Sequence, residues 1–187
     1  MQRDIIKCLE VLAAGGTILY PTDTIWGLGC DATRSDATQK VYRLKQRRDS
    51  KTMLVLVDSA KMLERYVDKI PEMAMKILEI NEAPLTIIYP GGRNLADDLL
   101  APDGSIGIRI ASDPFCTELI RRFRKPIVST SANIAGKQAP AGFREISADI
   151  LSKVDYTVTW RQNDTSRKKP SGILKIQLNG EIEVIRE

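Results

Sequence analysis

The sequence has no histidine among its 187 residues. That absence removes imidazole general bases, Ser-His-Asp and Cys-His nucleophile systems, and His-ligated metal centres together. Cysteine is scarce as well. Cys8, Cys30 and Cys116 are odd in number and widely spaced, so neither a disulfide framework nor a Cys-x-x-Cys metal clip is expected. Cys30 reads as a small buried residue rather than a nucleophile. Aromatic residues make up only 5% of the chain, few for stacking nucleobases. No apolar run approaches the ~20 residues that cross a bilayer, and the charged start Met1-Gln2-Arg3-Asp4 lacks a secretory core. A cytoplasmic protein without membrane association is expected. Chemistry must then run on hydroxyls, amides, lysine, arginine and carboxylates.

What is present is ordinary for a globular chain: 43% hydrophobic and 28% charged residues. The length fits one domain over residues 1–187, with no additional C-terminal domain expected. Net charge is only +4, too mild to indicate a nucleic-acid partner. Basic residues nevertheless cluster at 43–51, 121–125 and 167–169, and clusters that shared a face would attract polyphosphate or RNA.

Periodicity predicts helices over residues 4–14, 35–44 (with Ser35 as cap), 72–80 and from Asp113-Pro114 to about Arg124. Strands are expected at 17–19, 53–57, 85–89, 106–110 and 126–128, and Asn179-Gly180 predicts a type I′ hairpin between 173–178 and 182–185. Parallel βαβ units mixed with a hairpin imply an α/β fold with one twisted mixed sheet.

Three segments carry the chemistry. Tyr20-Pro21-Thr22-Asp23-Thr24-Ile25-Trp26-Gly27-Leu28-Gly29-Cys30-Asp31 places hydroxyls, a carboxylate and glycines at a strand end, where open α/β sheets bind ligands. Its glycines would let backbone amides approach an anion, although a polar turn would look the same. Leu44-Lys45-Gln46-Arg47-Arg48-Asp49-Ser50-Lys51 puts four cations at a helix-to-strand junction, suited to a triphosphate or equally to a solvated face. As a polar junction, it is expected to tolerate truncation of Lys45 or Arg47 with little loss of stability. Pro126-Ile127-Val128-Ser129-Thr130-Ser131-Ala132-Asn133-Ile134-Ala135-Gly136 repeats the first pattern, a short strand ending in hydroxyls and an amide.

Together these segments resemble the YrdC/TsaC-type L-threonylcarbamoyladenylate synthases. The matching residues are Pro21-Thr22-Asp23-Thr24, Gly27-Leu28-Gly29, Lys45-Gln46-Arg47 with Lys51, Ile106-Gly107-Ile108-Arg109, Ser129-Thr130-Ser131-Ala132-Asn133 and Pro170-Ser171-Gly172-Ile173, in the family's order. The resemblance implies an open twisted sheet with a concave, positively charged surface. It implies a reaction joining L-threonine, bicarbonate and ATP into threonylcarbamoyl-adenylate with release of pyrophosphate. Mg²⁺ would accompany the nucleotide, with no metal held by the protein itself. Partner proteins would pass the product to the adenosine beside the anticodon of certain tRNAs. Direct tRNA binding by this protein would be weak and salt-dependent.

By the same resemblance, Thr22 and Thr24 contact the substrate threonine, and Arg109 holds its carboxylate through a planar fork. Lys45 and Arg47 are the catalytic candidates and, with Lys51, the nucleotide and phosphate contacts. Ser129 and Ser171 fall with the threonine contacts; Ser105, Ser131, Asn133 and Arg186 fall with the nucleotide contacts. The departures are Trp26 where tyrosine is common, Leu56 where longer relatives have histidine, Ala139 in place of a hydroxyl, and Gly172 after Ser171. Three other readings stay open: a YciO-type paralogue of unassigned activity, a non-catalytic RNA-binding module, and a carbamoyl-transfer domain like that of hydrogenase maturation proteins. The intact Lys45-Gln46-Arg47 and Ser129-Thr130-Ser131-Ala132-Asn133 segments favour the synthase over the paralogue.

Overall fold

The structure, a computed structural model, describes residues 1–46, 53–166 and 168–187. Arg47 and Lys51 lie outside the described residues.

Among the described residues, six α-helices and nine strands follow one another: α1 (Gln2–Ala13), β1 (Ile18–Tyr20), β2 (Gly27–Gly29), α2 (Ser35–Leu44), β3 (Leu54–Val57), α3 (Ala60–Leu63), α4 (Glu72–Ile80), β4 (Leu85–Tyr89), β5 (Ile106–Ile110), α5 (Pro114–Phe123), β6 (Ile127–Ser131), α6 (Ala148–Leu151), β7 (Tyr156–Thr157), β8 (Gly172–Ile176) and β9 (Ile182–Arg186). In α1 the apolar positions Ile5, Cys8 and Leu12 are buried at helical spacing. Its end is set by Gly15, whose φ of 72° suits glycine. Helix α5 starts where Asp113 accepts hydrogen bonds from the Phe115 and Cys116 amides at 2.9 and 3.2 Å, with Pro114 at the first helical position.

One mixed sheet runs in the order β7-β1-β2-β6-β3-β5-β4-β8-β9. Parallel pairs (β1 with β7, β3 with β5, β4 with β8) sit among antiparallel ones. The register fixes what each face carries. Gly27 lies opposite Ser131, Leu54 opposite Ser129, Leu56 opposite Arg109, Ile88 opposite Gly107, Thr86 opposite Ile173, and Ile173 opposite Arg186. Directly paired residues share a face, and so do residues two apart in one strand. A single row therefore crosses seven strands on one side, with glycine, hydroxyl or arginine positions from five of them and leucine or isoleucine from β3 and β8. The intervening residues Leu28, Val128, Val55, Ile108 and Ile87 are buried on the other.

The structure corrects several sequence expectations. Gly27-Leu28-Gly29 is a strand rather than a loop. Its glycines are required by packing: a Cβ on Gly29 would lie 2.4 Å from the Val128 carbonyl oxygen and 2.8 Å from the Tyr20 ring. Gly29→Ala is therefore expected to cost about 1–3 kcal/mol by overpacking, read as a lowered denaturation midpoint; an unchanged midpoint would show that the sheet yields there. Helix α2 is capped by Arg34, without a side-chain cap, and not by Ser35. The hairpin turn is not type I′, since Gly180 has φ 87° but Asn179 does not have positive φ. The Gly180 amide donates to the Gln177 carbonyl and the Gln177 amide to the Glu181 carbonyl, a three-residue loop with glycine at the left-handed position. The one-turn helices α3 and α6 and the two-residue β7 gave no periodicity to read.

The basic run 121–125 lies at the surface, with several of its residues engaged in contacts within the molecule. Arg121 pairs with Glu118 at 2.8 Å, Lys125 with buried Asp31 at 2.7 Å, and Arg124 closes α5 in a left-handed conformation. None of these residues reaches the cavity described next.

Candidate active site

A cavity of about 250 Å³ opens over the hydroxyl-bearing face of the sheet. Its wall includes Gly27, Leu54, Thr86, Ile88, Gly107, Arg109, Ser129, Thr130, Ser131 and Ile173 from the sheet, Thr24, Ile25 and Trp26 from the loop after β1, and Pro170, Ser171 and Arg186 from the C-terminal hairpin region. Two guanidinium groups and a row of hydroxyls face it. Among the described residues no lining side chain is acidic.

Arg109 is almost wholly buried and is gripped by the loop after β1. Its Nη1 donates to Thr24 Oγ1 at 3.1 Å, and its Nη2 lies 3.0 Å from Asp23 Oδ1. Arg186 comes from the edge strand β9 and donates from Nε to the Ser171 carbonyl at 2.8 Å. Burial, and then the like charge of Arg109, hold the Arg186 guanidinium below its ordinary pKa. Two guanidinium groups facing one cavity among hydroxyls make a site for an anion. Ser171 Oγ shares a hydrogen bond of 2.9 Å with Thr86 Oγ1, which fixes the hydroxyl pair between β4 and the segment leading into β8. Ser129 is buried beside Tyr20 and presents to the cavity from β6.

The sequence-chosen residues thus divide. Thr24, Arg109, Ser129, Ser131, Ser171 and Arg186 are brought to one cavity. Thr22, Lys45, Ser105 and Asn133 are not on its wall. Thr22 Oγ1 donates to the Ile25 carbonyl at 2.7 Å and accepts from the Thr24 amide at 3.0 Å, so its hydroxyl braces the loop. Lys45 is buried, and its ammonium donates to the carbonyls of Ser131 at 2.6 Å and Asn133 at 2.8 Å. The Ala135 amide returns a bond to the Lys45 carbonyl at 2.9 Å. The surface-like junction expected there is thus an interior tie between the end of α2 and the loop after β6. Ser131 Oγ hydrogen-bonds Asn133 Oδ1, turning the amide into part of the same tie. Ser105 bonds Asp103 through both its hydroxyl and its amide.

Thr86 is a wall residue that the sequence motifs do not include. The signal for Thr86 was its parity, a hydroxyl inside an apolar strand two residues from Ile88 on the row that also carries Ser129. Trp26 walls the cavity and contacts Phe143 with ring centroids 4.9 Å apart. Ala139 lines the cavity without a hydroxyl, and Leu56 is fully buried in register with Arg109. Burial pushes the Cys8 thiol up to about 12 and raises Cys30 and Cys116 as well, so none is a ready thiolate. No group of three acidic, His or Cys side chains among the described residues is placed to hold a metal ion. None of the described helices is long and apolar enough to cross a membrane.

A mixed α/β sheet with a cavity lined by two guanidinium groups and hydroxyls over one face defines a small-ligand site rather than a scaffold. The chain belongs to the Sua5–YciO–YrdC family, whose profile, described as "Telomere recombination", matches residues 10–187. The threonylcarbamoyl-AMP synthase of Pseudoalteromonas translucida is 31% identical over 160 residues, covering 84% of this chain and 86% of that protein. The crystal structure of E. coli YciO matches all of this chain and 90% of that one, with TM-score 0.86 and 25% identity. P. abyssi Sua5 complexed with L-threonine has the same fold, with TM-score 0.81 and 22% identity. This chain spans 51% of that Sua5 chain and matches it over 94% of its own length.

Proposed function

We propose that this protein makes L-threonylcarbamoyl-AMP from L-threonine, bicarbonate and ATP, releasing pyrophosphate, for modification of the adenosine beside the tRNA anticodon. The observation that carries the reading is the acid-free cavity wall with Arg109 and Arg186 facing a row of hydroxyls. The threonine amine and bicarbonate condense to an N-carboxylate with loss of water. Its oxygen attacks the α-phosphorus, and the P–O bond to the β-phosphate breaks to release pyrophosphate. Every participant is an anion or bears a carboxylate, so alignment and charge neutralisation dominate the catalysis.

In this reading Arg109 anchors the threonine carboxylate, with Thr24, Ser129 and Ser171 beside it. Arg186 and Ser131 face the nucleotide, and Arg47 and Lys51 extend the phosphate contacts. Thr22, Lys45 and Asn133 serve by holding the loops that shape the wall, and Ser105 steadies the entrance to β5. Mg²⁺ would accompany ATP and be carried mainly by the nucleotide, since none of the described wall residues is a carboxylate. It supplies charge neutralisation on the phosphates.

Purified protein given ATP, Mg²⁺, bicarbonate and L-threonine is expected to release pyrophosphate only when bicarbonate and threonine are both present. Serine, which lacks a methyl worth about 1 kcal/mol of burial, should substitute poorly. The rate profile should lack an imidazole-type step near neutrality. Release without threonine would sink the assignment and point to another nucleotidyl transfer. Folded protein inactive under every condition would favour the YciO-type alternative, which the likeness to YciO supports.

A further inference from the structure

We propose that Asp23 is a positioning residue for Arg109: its carboxylate holds the guanidinium facing the cavity so that an anionic substrate group meets an aligned cation. The inference rests on reading Arg109 as the anchor of the threonine carboxylate.

Asp23 follows β1, whereas Arg109 belongs to β5, four places away in the sheet order. The pair therefore straps the loop over the intervening strands. Asp23 and Arg109 side chains are 9% and 3% exposed, and Oδ1 lies 3.0 Å from Nη2. The other carboxylate oxygen accepts a hydrogen bond from Ser112 Oγ at 3.0 Å, just beyond β5. The neighbouring Thr24 takes Nη1. Both terminal nitrogens of Arg109 are thus held by adjacent residues of one loop.

Arg109 needs such a restraint. It shares its cavity with Arg186, and the two cations repel. Asp23 supplies the opposing charge, 3.0 Å from Nη2. Asp23 does not line the cavity, so it acts through Arg109 rather than on substrate. Among the described residues, Asp23 Oδ1 and Arg109 Nε are buried without a hydrogen-bond partner. Oδ1 meets Nη2 as an ion pair at 3.0 Å, a contact that places charge beside the guanidinium.

The test is steady-state kinetics on the full chain carrying Asp23→Asn, Asp23→Glu, Ser112→Ala or Arg109→Lys, and on the Asp23→Asn/Arg109→Lys double variant, with thermal midpoints alongside. Asp23→Asn is expected to raise the threonine KM at least tenfold while kcat at saturating threonine stays within about threefold. Asp23→Glu should recover part of the loss, and Ser112→Ala, which only loosens the carboxylate, should raise KM severalfold. In the Arg109→Lys background Asp23→Asn should add little. Arg109→Lys raising KM while folded Asp23→Asn does not, or raises it additively, would overturn the positioning role alone. A lowered KM in Asp23→Asn would overturn it too, by making the carboxylate a competitor for Arg109. Arg109→Lys with unchanged KM would overturn the anchor reading and this inference with it. If Asp23→Asn does not fold, Ser112→Ala decides: an unchanged threonine KM rejects the role.

Discussion

Replacing Lys45 by alanine is expected to lower the denaturation midpoint by roughly 5–15 °C and to abolish adenylate formation in the same variant. The side chain is 3% exposed, and its ammonium serves the carbonyls of Ser131 and Asn133. Truncation removes a charged donor from each of two carbonyls, of which Ser131 keeps the Asn133 amide, at about 1–3 kcal/mol each, for a total near 2–6 kcal/mol. The same two carbonyls belong to the loop that ends β6, where Ser129 and Ser131 present their hydroxyls. Stability and turnover should therefore fall together. Calorimetry and a pyrophosphate-release assay on one preparation check this. A variant with an unchanged midpoint and no turnover would restore Lys45 to the solvent-facing phosphate contact expected from the sequence.

Arg109 divides the two effects differently. Arg109→Met removes the charge that Asp23 faces and strands a buried carboxylate, at a cost of about 3–5 kcal/mol. Arg109→Lys keeps a charge but offers one compact ammonium where a planar fork stood. Loss of one charge-assisted hydrogen bond, about 1.5–3 kcal/mol, corresponds to a rise of roughly ten- to hundredfold in the threonine KM. The order should be clear in urea unfolding: Met well below Lys, and Lys close to the parent. Equal stability of the two would mean that Asp23 finds another partner, and an unchanged KM in the lysine variant would make Arg109 structural.

The long elements were legible because their periods are long enough to read. Helix α4 and strands β4 and β5 fall where apolar spacing and Pro71 or Pro90 put them. The cavity was half legible: Thr24, Arg109, Ser129, Ser131, Ser171 and Arg186 meet as expected. What misled was treating a polar run as a surface. Lys45 sits among charged neighbours in sequence, yet its long apolar stem reaches inward, and only the three-dimensional position of the Ser131–Asn133 carbonyls gives the ammonium its partners. Gly27-Leu28-Gly29 misled for a related reason. Glycine signals backbone freedom in a sequence, whereas here it signals the closeness of Tyr20 and Val128, residues distant in the chain.

The C-terminal hairpin gives the cavity a hinge with its own free energy. Strand β9 pairs on one side only, is exposed along its length, and meets β8 through an irregular register at Ile173 and Leu174. Exposed strands paired on one side only open in local fluctuations below the cost of global unfolding. When this one frays, Arg186 releases the Ser171 carbonyl and leaves the cavity, while Arg109 stays locked in the centre of the sheet. One cation is thus fixed and the other can come and go with the edge. Amide hydrogen exchange along β9 would then follow the binding and release of an anion that engages Arg186, even with the rest of the sheet silent.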